Sequence, residues 1–402
     1  MGCCSRCFNS NKNGEKDEEK NIQNTSISDH EQNELADNEN EIDNQLENAY
    51  SFRNDSTSNE GFPNPFGAIL QKDWNENSIL KAVLFTLSCI PEFKEYFLQK
   101  NKKYREISKE VHIYLEYLNK SLDDDNKVEK HLNKFINLLI KKNFPLDKNQ
   151  SIISIIIKLL LEKLHYENND PSDSYSDFFT KYLAKNNSII SKLFGCLTQI
   201  SNVCDNCSKF EINYEGRYFV EFPMDDVFEK FPPNKNSTKE INLYNCFEYR
   251  HNPKLPSGNY CEKCGEEQYK NKEFFYNLPE NLIINLNWEK EKGYLGNVTI
   301  NEELDLSKYV MKDKKDKGIT LMKLNAVICC DEPEHFVAFC KNVKTNEWYC
   351  YDNNKVTECT EPEPYKKSKA YVLFYHALKK EEIPFIDNEF DLGNEIKNLF
   401  NN

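Results

Sequence analysis

Two Cys-x-x-Cys pairs constrain this chain more than any other feature: Cys204-Asp-Asn-Cys207 and Cys261-Glu-Lys-Cys264. Each such turn presents two sulfurs to one side, and two turns together supply the four thiolates of a tetrahedral metal site. Four thiolates leave no open coordination position, so the expected ion, Zn2+, is structural rather than catalytic. Short alternating runs surround the pairs: Phe210-Glu-Ile-Asn-Tyr, Arg217-Tyr-Phe-Val-Glu-Phe and Leu282-Ile-Ile-Asn-Leu. These read as strands. The competing reading is a pair of redox or incidental dithiols. Two pairs flanked by strands favour the metal, as does the lack of an apolar secretory leader in a chain with 15 cysteines.

Ahead of the strands the periodicity is helical. Apolar residues recur at three- and four-residue spacing over Ser78–Phe97, Val111–Leu122 and Val128–Ile140. A further helical pattern runs from Ser151 to Leu164 and stops at a polar Glu-Asn-Asn-Asp-Pro-Ser-Asp turn. Helices first and strands afterward indicate an α+β architecture. No internal repeat is apparent, and the Pro- and Asn-rich stretch Asn234–Asn259 between the cysteine pairs has no assigned role.

Composition divides the chain. Residues 1–60 hold 14 Asp/Glu against 5 Lys/Arg, a net of −9 out of the whole chain's −14. Such a segment buries too little apolar surface to offset chain entropy, so residues 1–62 are expected to be a disordered acidic tether. Residues 63–377 form the expected folded domain and 378–402 a tail. No basic stripe points to nucleic acid. No run reaches the length of a membrane span, since Ser154 and Lys158 interrupt the most apolar stretch, Ile152–Leu161. The first residues, Met-Gly-Cys-Cys-Ser-Arg-Cys, suggest another route to a membrane. Gly2 is placed for myristoylation, and Cys3, Cys4 and Cys7 for palmitoylation. The pattern is imperfect because Arg6 stands where Ser or Thr is usual. One acyl chain holds weakly, so palmitate would supply the second signal, on a cytoplasmic membrane face. An unmodified terminus is the alternative.

Several stretches together resemble the ubiquitin-specific proteases, a papain-like cysteine protease family. Trp74-Asn-Glu-Asn77-Ser78, followed by an apolar helix, resembles the family's Cys-(Tyr/Trp)-x-Asn-Ser motif. Leu278-Pro-Glu-Asn-Leu-Ile-Ile-Asn-Leu286 resembles the strand that follows the second cysteine pair. His335-Phe-Val-Ala-Phe-Cys-Lys341 is similar to the His box, and Trp348-Tyr-Cys-Tyr-Asp352 to the segment that orients the His. Ala370-Tyr-Val-Leu-Phe-Tyr375 is similar to the closing strand. The resemblance covers residues 63–377 and implies a fingers-palm-thumb fold with a zinc ribbon at Cys204, Cys207, Cys261 and Cys264. It also implies recognition of ubiquitin or ubiquitinated proteins, with His335 as base and Asp352 as its orienter. The family's Lys-Arg-Phe is Asn287-Trp288-Glu289 here, which marks a divergent branch.

The family's nucleophile position falls on Trp74. An indole forms no thiolate, and the thiolate is what attacks the isopeptide carbonyl. The oxyanion-donating Asn has no counterpart in Gly67-Ala-Ile-Leu-Gln-Lys-Asp73, and the Gly before the His is Glu334. The resemblance therefore leads to a catalytically inactive ubiquitin binder, a pseudo-deubiquitinase. One alternative is an active deubiquitinase with a displaced cysteine, for which Cys329 and Cys330 are the stand-ins and Cys89 is too far along its helix. Another is an adaptor that no longer binds ubiquitin.

Overall fold

The computed structural model describes residues 76–120, 125–140, 151–171, 178–204, 206–232, 240–252, 261–265, 269–288, 297–311, 320–332, 335–342, 345–352, 355–360, 363–367 and 369–378. All of them belong to one compact unit, Asn48–Asn402. Gly2, Cys3, Cys4, Cys7, the acidic segment, residues 67–73, Trp74 and Glu334 lie outside the described residues.

Among the described residues seven helices come first: α1 (Glu76–Ser88), α2 (Pro91–Phe97), α3 (Glu106–Lys120), α4 (Asp125–Ile140), α5 (Ile152–Asn168), α6 (Phe178–Lys185) and α7 (Ile189–Phe194). The continuous helix expected over Ser78–Phe97 is in fact α1 and α2. Pro91 crowds the residue before it out of the helical region, and Ile90 sits at φ −89°, ψ 112°. Ser151 caps α5 by accepting from Ser154 N–H. Lys163 of α5 donates to the carbonyls of Leu138 and Leu139 at 2.8 Å, closing the last turn of α4.

The strands form two principal sheets. In the first, β1 (Cys196–Cys204) lies between β2 (Phe210–Arg217) and β5 (Tyr269–Asn277), all antiparallel. The second and larger sheet contains β3 (Val220–Pro223), β6 (Asn281–Asn287), β8 (Glu303–Asp305), β9 (Leu321–Glu332), β10 (His335–Lys341), β11 (Trp348–Asp352), β12 (Lys355–Cys359) and β13 (Lys369–Ala377). Its order is β12-β11-β10-β9-β13-β6-β3, and β8 pairs with β9. The single strand expected from Arg217 onward is divided, because β2 ends at Arg217 and β3 begins at Val220.

The central strands of the large sheet are buried on both faces, which accounts for their almost unbroken apolar runs. Phe336, Ala338 and Cys340 join a core with the helices, while Val337 and Phe339 turn to a second core. Val372 and Phe374 likewise oppose Leu373 and Tyr375 along β13. The second core is closed by α8 (Met224–Lys230) and α9 (Leu243–His251). Helix α9 lies inside the stretch that had no assigned role. It buries Leu243, Cys246 and Phe247, and Arg250 reaches Glu273 of β5 at 2.6 Å. Just before α9, β4 (Glu240–Asn242) pairs in parallel with β7 (Asn297–Thr299).

The helices also grip the base of β2. A Cβ placed on Gly216 would stand 2.4 Å from Tyr182 Oη of α6. Gly216→Ala is therefore expected to lower unfolding free energy by about 1–3 kcal/mol, read by urea titration. An unchanged midpoint would show that Tyr182 moves aside freely.

Candidate functional site

The site is assembled at one end of the large sheet. His335 is the first residue of β10 and Asp352 the last of β11, and antiparallel pairing through Ala338↔Tyr351 brings those ends together. His335 Nε2 lies 2.9 Å from Asp352 Oδ1. That oxygen is buried and meets no donor aligned well enough for a hydrogen bond, so proximity alone defines the contact. Both side chains keep an open face, with 24% of His335 and 47% of Asp352 exposed.

Helix α1 is fastened to the same strand. Ser78 Oγ donates to Phe336 O and accepts from Phe336 N–H, both at 3.0 Å and both buried. One hydroxyl thus bonds both backbone groups of Phe336, beside His335, where the β9–β10 register shifts. Ser78→Ala strips both bonds at once and is expected to cost about 2–4 kcal/mol in thermal or urea unfolding. A cost below about 1 kcal/mol would mean that water replaces the hydroxyl.

Behind that contact lies a polar group that sequence reading did not find. Asn77 Nδ2 donates to Glu129 Oε2 of α4 at 2.7 Å and to Asn133 Oδ1 at 3.1 Å. Lys81, almost fully buried, pairs with the same Glu129. Deeper still, the Tyr114 and Tyr351 hydroxyls meet at 2.9 Å, and Phe85 stacks on Tyr351 with ring centroids 4.3 Å apart. Tyr351 directly precedes Asp352, so the helical layer holds the strand that carries the carboxylate. The aromatic residue before Asp352 was the only local signal for this arrangement.

The suggested stand-in cysteines are placed differently from one another. Cys329 is fully buried and donates its thiol to Tyr365 O at 3.9 Å. Cys330 lies across from Phe336 on one side and Lys369 on the other. Cys89 follows the last residue of α1, at the opposite end of that helix from Ser78.

The cysteine pairs converge. Cys204, Cys207, Cys261 and Cys264 place their sulfurs within 4.8 Å of one another, a group that can hold a metal ion. Cys204 ends β1, and Cys204↔Tyr269 pairing draws the second turn to the same tip of the sheet. The two turns are near copies in their backbone. Ser208 N–H bonds Cys204 O at 2.9 Å, and Gly265 N–H bonds Cys261 O at 2.7 Å. Each turn closes on a residue with positive φ, 56° at Ser208 and 72° at Gly265. Lys209 and Glu262 link the turns at 2.9 Å.

The model of the ubiquitin carboxyl-terminal hydrolase family, UCH, matches residues 75–375. The chain belongs to that family. Among curated relatives, ubiquitin carboxyl-terminal hydrolase 9 of Arabidopsis thaliana is 32% identical over 182 residues, covering 42% of this chain and 20% of that protein. Ubiquitin carboxyl-terminal hydrolase 12 of Saccharomyces cerevisiae is 31% identical over 159 residues, covering 35% of this chain and 12% of its own length. The matched region thus spans a fifth or less of these relatives. Among solved structures, a SAGA deubiquitinating (DUB) module containing Ubp8, Sgf11, Sus1 and Sgf73 is similar at TM-score 0.55 and 16% identity, covering 82% of this chain and 71% of that one. The Ubp8/Sgf11/Sus1/Sgf73 module bound to ubiquitin aldehyde is similar at TM-score 0.53 and 18% identity, covering 76% and 68%. These likenesses show the family's fold, mixed α and β with the four-cysteine group at the tip of the smaller sheet.

Proposed function

We propose that this chain recognises ubiquitin or ubiquitin-conjugated proteins and does not cleave them. The observation that carries the reading is Trp74 at the family's nucleophile position in the sequence, in a chain that retains the His335–Asp352 pair. A cysteine hydrolase needs the thiolate, the base that makes it and the carboxylate that orients the base. Two of the three remain. Losing a triad nucleophile lowers turnover on the order of a millionfold, so a base and an orienter alone support no useful hydrolysis. The neighbouring module bound to ubiquitin aldehyde supports the choice of ubiquitin as the partner.

The deciding experiment is to label the purified chain with full-length ubiquitin bearing a thiol-reactive C-terminal electrophile, followed by calorimetric titration with ubiquitin. No adduct together with saturable binding is the expected outcome. A stoichiometric adduct at one cysteine, lost in His335→Ala, would instead reveal a working enzyme and name its nucleophile. Neither adduct nor binding would leave an adaptor. In this reading an indole at position 74 would plug the family's channel for ubiquitin's C-terminal tail, so Trp74→Ala is expected to tighten binding. Unchanged affinity would remove the plug.

The metal in this reading is zinc. Four sulfurs at about 2.3 Å from a tetrahedral ion stand about 3.8 Å apart. The Cys204–Cys264 and Cys207–Cys261 sulfurs are 3.6 and 3.5 Å apart, far from the roughly 2.05 Å of a disulfide. Acylation at Gly2 and at Cys3, Cys4 or Cys7 would add a cytoplasmic membrane tether, and mass analysis of chain purified from eukaryotic cells tests it directly.

A further inference from the structure

The turn between α2 and α3 collects positive charge in a chain whose net charge is −14. Residues 94–109 carry six cations, Lys94, Lys100, Lys102, Lys103, Arg105 and Lys109, against two acids, Glu95 and Glu106. Elsewhere lysines close on carboxylates, as Lys81 does on Glu129 and Lys134 on Glu110. Lys100, Lys103, Arg105 and Lys109 are exposed, and among the described residues none of them meets a carboxylate in an ion pair. The backbone beneath them is fixed. Asn101 turns the chain at φ 68°, Tyr104 Oη donates to Tyr96 O at 2.8 Å, and Tyr96 Oη donates to Asn168 Oδ1 of α5 at 3.0 Å. Glu167 of α5 accepts from the N–H groups of Ile107 and Ser108 at 2.9 and 2.8 Å. The free amides at the start of α3 are thus already used, and an anion approaching this turn meets side chains. Tyr166, directly before Glu167, is 74% exposed.

We propose that the α2–α3 turn is a docking surface for an anionic lipid bilayer, one containing phosphatidylserine. Each Lys or Arg held near such a surface raises partition about fivefold, so Lys100, Lys103 and Arg105 together supply about a hundredfold. The acidic excess of the rest of the chain opposes this only weakly, because exposed charges more than about 10 Å away are screened. The turn is already ordered in the free protein, so docking freezes little besides the lysine and arginine stems. Tyr166 offers an amphipathic ring suited to the headgroup layer. A nucleic acid fits less well, since both tyrosines of the turn are covered. Tyr104 stacks on Phe97 and on His112, and Lys102 Nζ stands 3.1 Å from the centre of the Tyr96 ring, which makes them a poor platform for bases. The surface acts without acylation and without ubiquitin. In a chain acylated at Gly2 it would be the second signal that a single acyl group needs for lasting attachment.

The test floats the unacylated full chain with vesicles of equal parts phosphatidylcholine and phosphatidylserine, and with vesicles of phosphatidylcholine alone. The expected result is binding to the mixed vesicles only, lost as salt is raised. Lys100→Ala, Lys103→Ala and Arg105→Ala combined should lower partition about a hundredfold. Lys272→Ala, Lys323→Ala and Lys355→Ala combined remove the same charge from strands of the two sheets and should leave binding in place. Equal binding to both kinds of vesicle, binding to neither, or equal loss in the two triple variants would each overturn the proposal. So would capture of an RNA oligonucleotide, lost in the first variant, by a chain that ignores vesicles. The lipid and salt comparisons use the unaltered chain, so they decide the matter even where a variant folds poorly. No ubiquitin enters the assay, and its outcome stands apart from that of the proposed function.

Discussion

Removing the metal with a strong chelator, or replacing Cys261 by serine, is expected to unravel the tip of the β2-β1-β5 sheet while both cores stay folded. The reason is local. Cys204, Cys207, Cys261 and Cys264 belong to neither core, so few apolar contacts hold the two turns in place. Among the described contacts, two backbone bonds hold the first turn and one the second, together with the Lys209–Glu262 pair, and Ser208, a non-glycine residue, is held at φ 56°. Structural zinc contributes on the order of 10 kcal/mol to the folding of small thiolate sites, far more than those contacts. Hydrogen exchange checks this. Amides of residues 198–215 and 269–275 should lose protection on chelation, while those of β9, β10 and β13 keep theirs. Unchanged exchange throughout, or a purified chain without a stoichiometric metal, would count against a metal-held tip.

The second large effect is a pH response hidden by cancellation. Burial pushes Glu162 of α5 up from 4.5 to about 7, with Lys158 opposing, and pulls His165 of the same helix down from 6.5 to about 4. Between pH 7 and 4.5 the folded chain binds a proton at Glu162 before the unfolded chain does, so stability rises as pH falls. Between pH 6.5 and 4 the unfolded chain binds one at a histidine first, so stability falls as pH falls. The two slopes oppose each other across pH 4.5–6.5. Above pH 7 the buried carboxylate is ionised, at a cost of about 2 kcal/mol once its partial exposure is allowed for. Glu162→Gln is thus expected to stabilise the chain by about 2 kcal/mol at pH 8. The variant should then lose that advantage steadily as pH drops from about 7 to 4.5. Urea titrations of both proteins across pH 4.5–8 measure the difference. Parallel curves would mean that Glu162 keeps an ordinary carboxylate environment.

Much of this arrangement was legible before any coordinates, and the legible parts share a cause. The cysteine pairs, the apolar runs of β6, β10 and β13, and the helical periods of α3, α4 and α5 are set by residues within a few positions of one another. Pro91 shows the limit even of local reading, since one residue divided a continuous apolar period. The stretch holding α9 was opaque because its role comes from partners it meets only after folding: Glu273 of β5, Tyr309 and the second core. The same is true of Glu129, which gathers Asn77 and Lys81 from another helix, and of the Tyr114–Tyr351 contact behind Asp352.

The sequence alone determined which chemical groups this protein owns: four thiols in two turns, a histidine and an aspartate opening and closing neighbouring strands, and tryptophan at position 74. Only the tertiary structure decided which of them meet. Strand register brought His335 to Asp352, sheet pairing drew the two turns into one four-sulfur group, and helix packing set Tyr114 against Tyr351. Such contacts depend on surfaces buried together by distant parts of the chain, and no local pattern of residues encodes that burial.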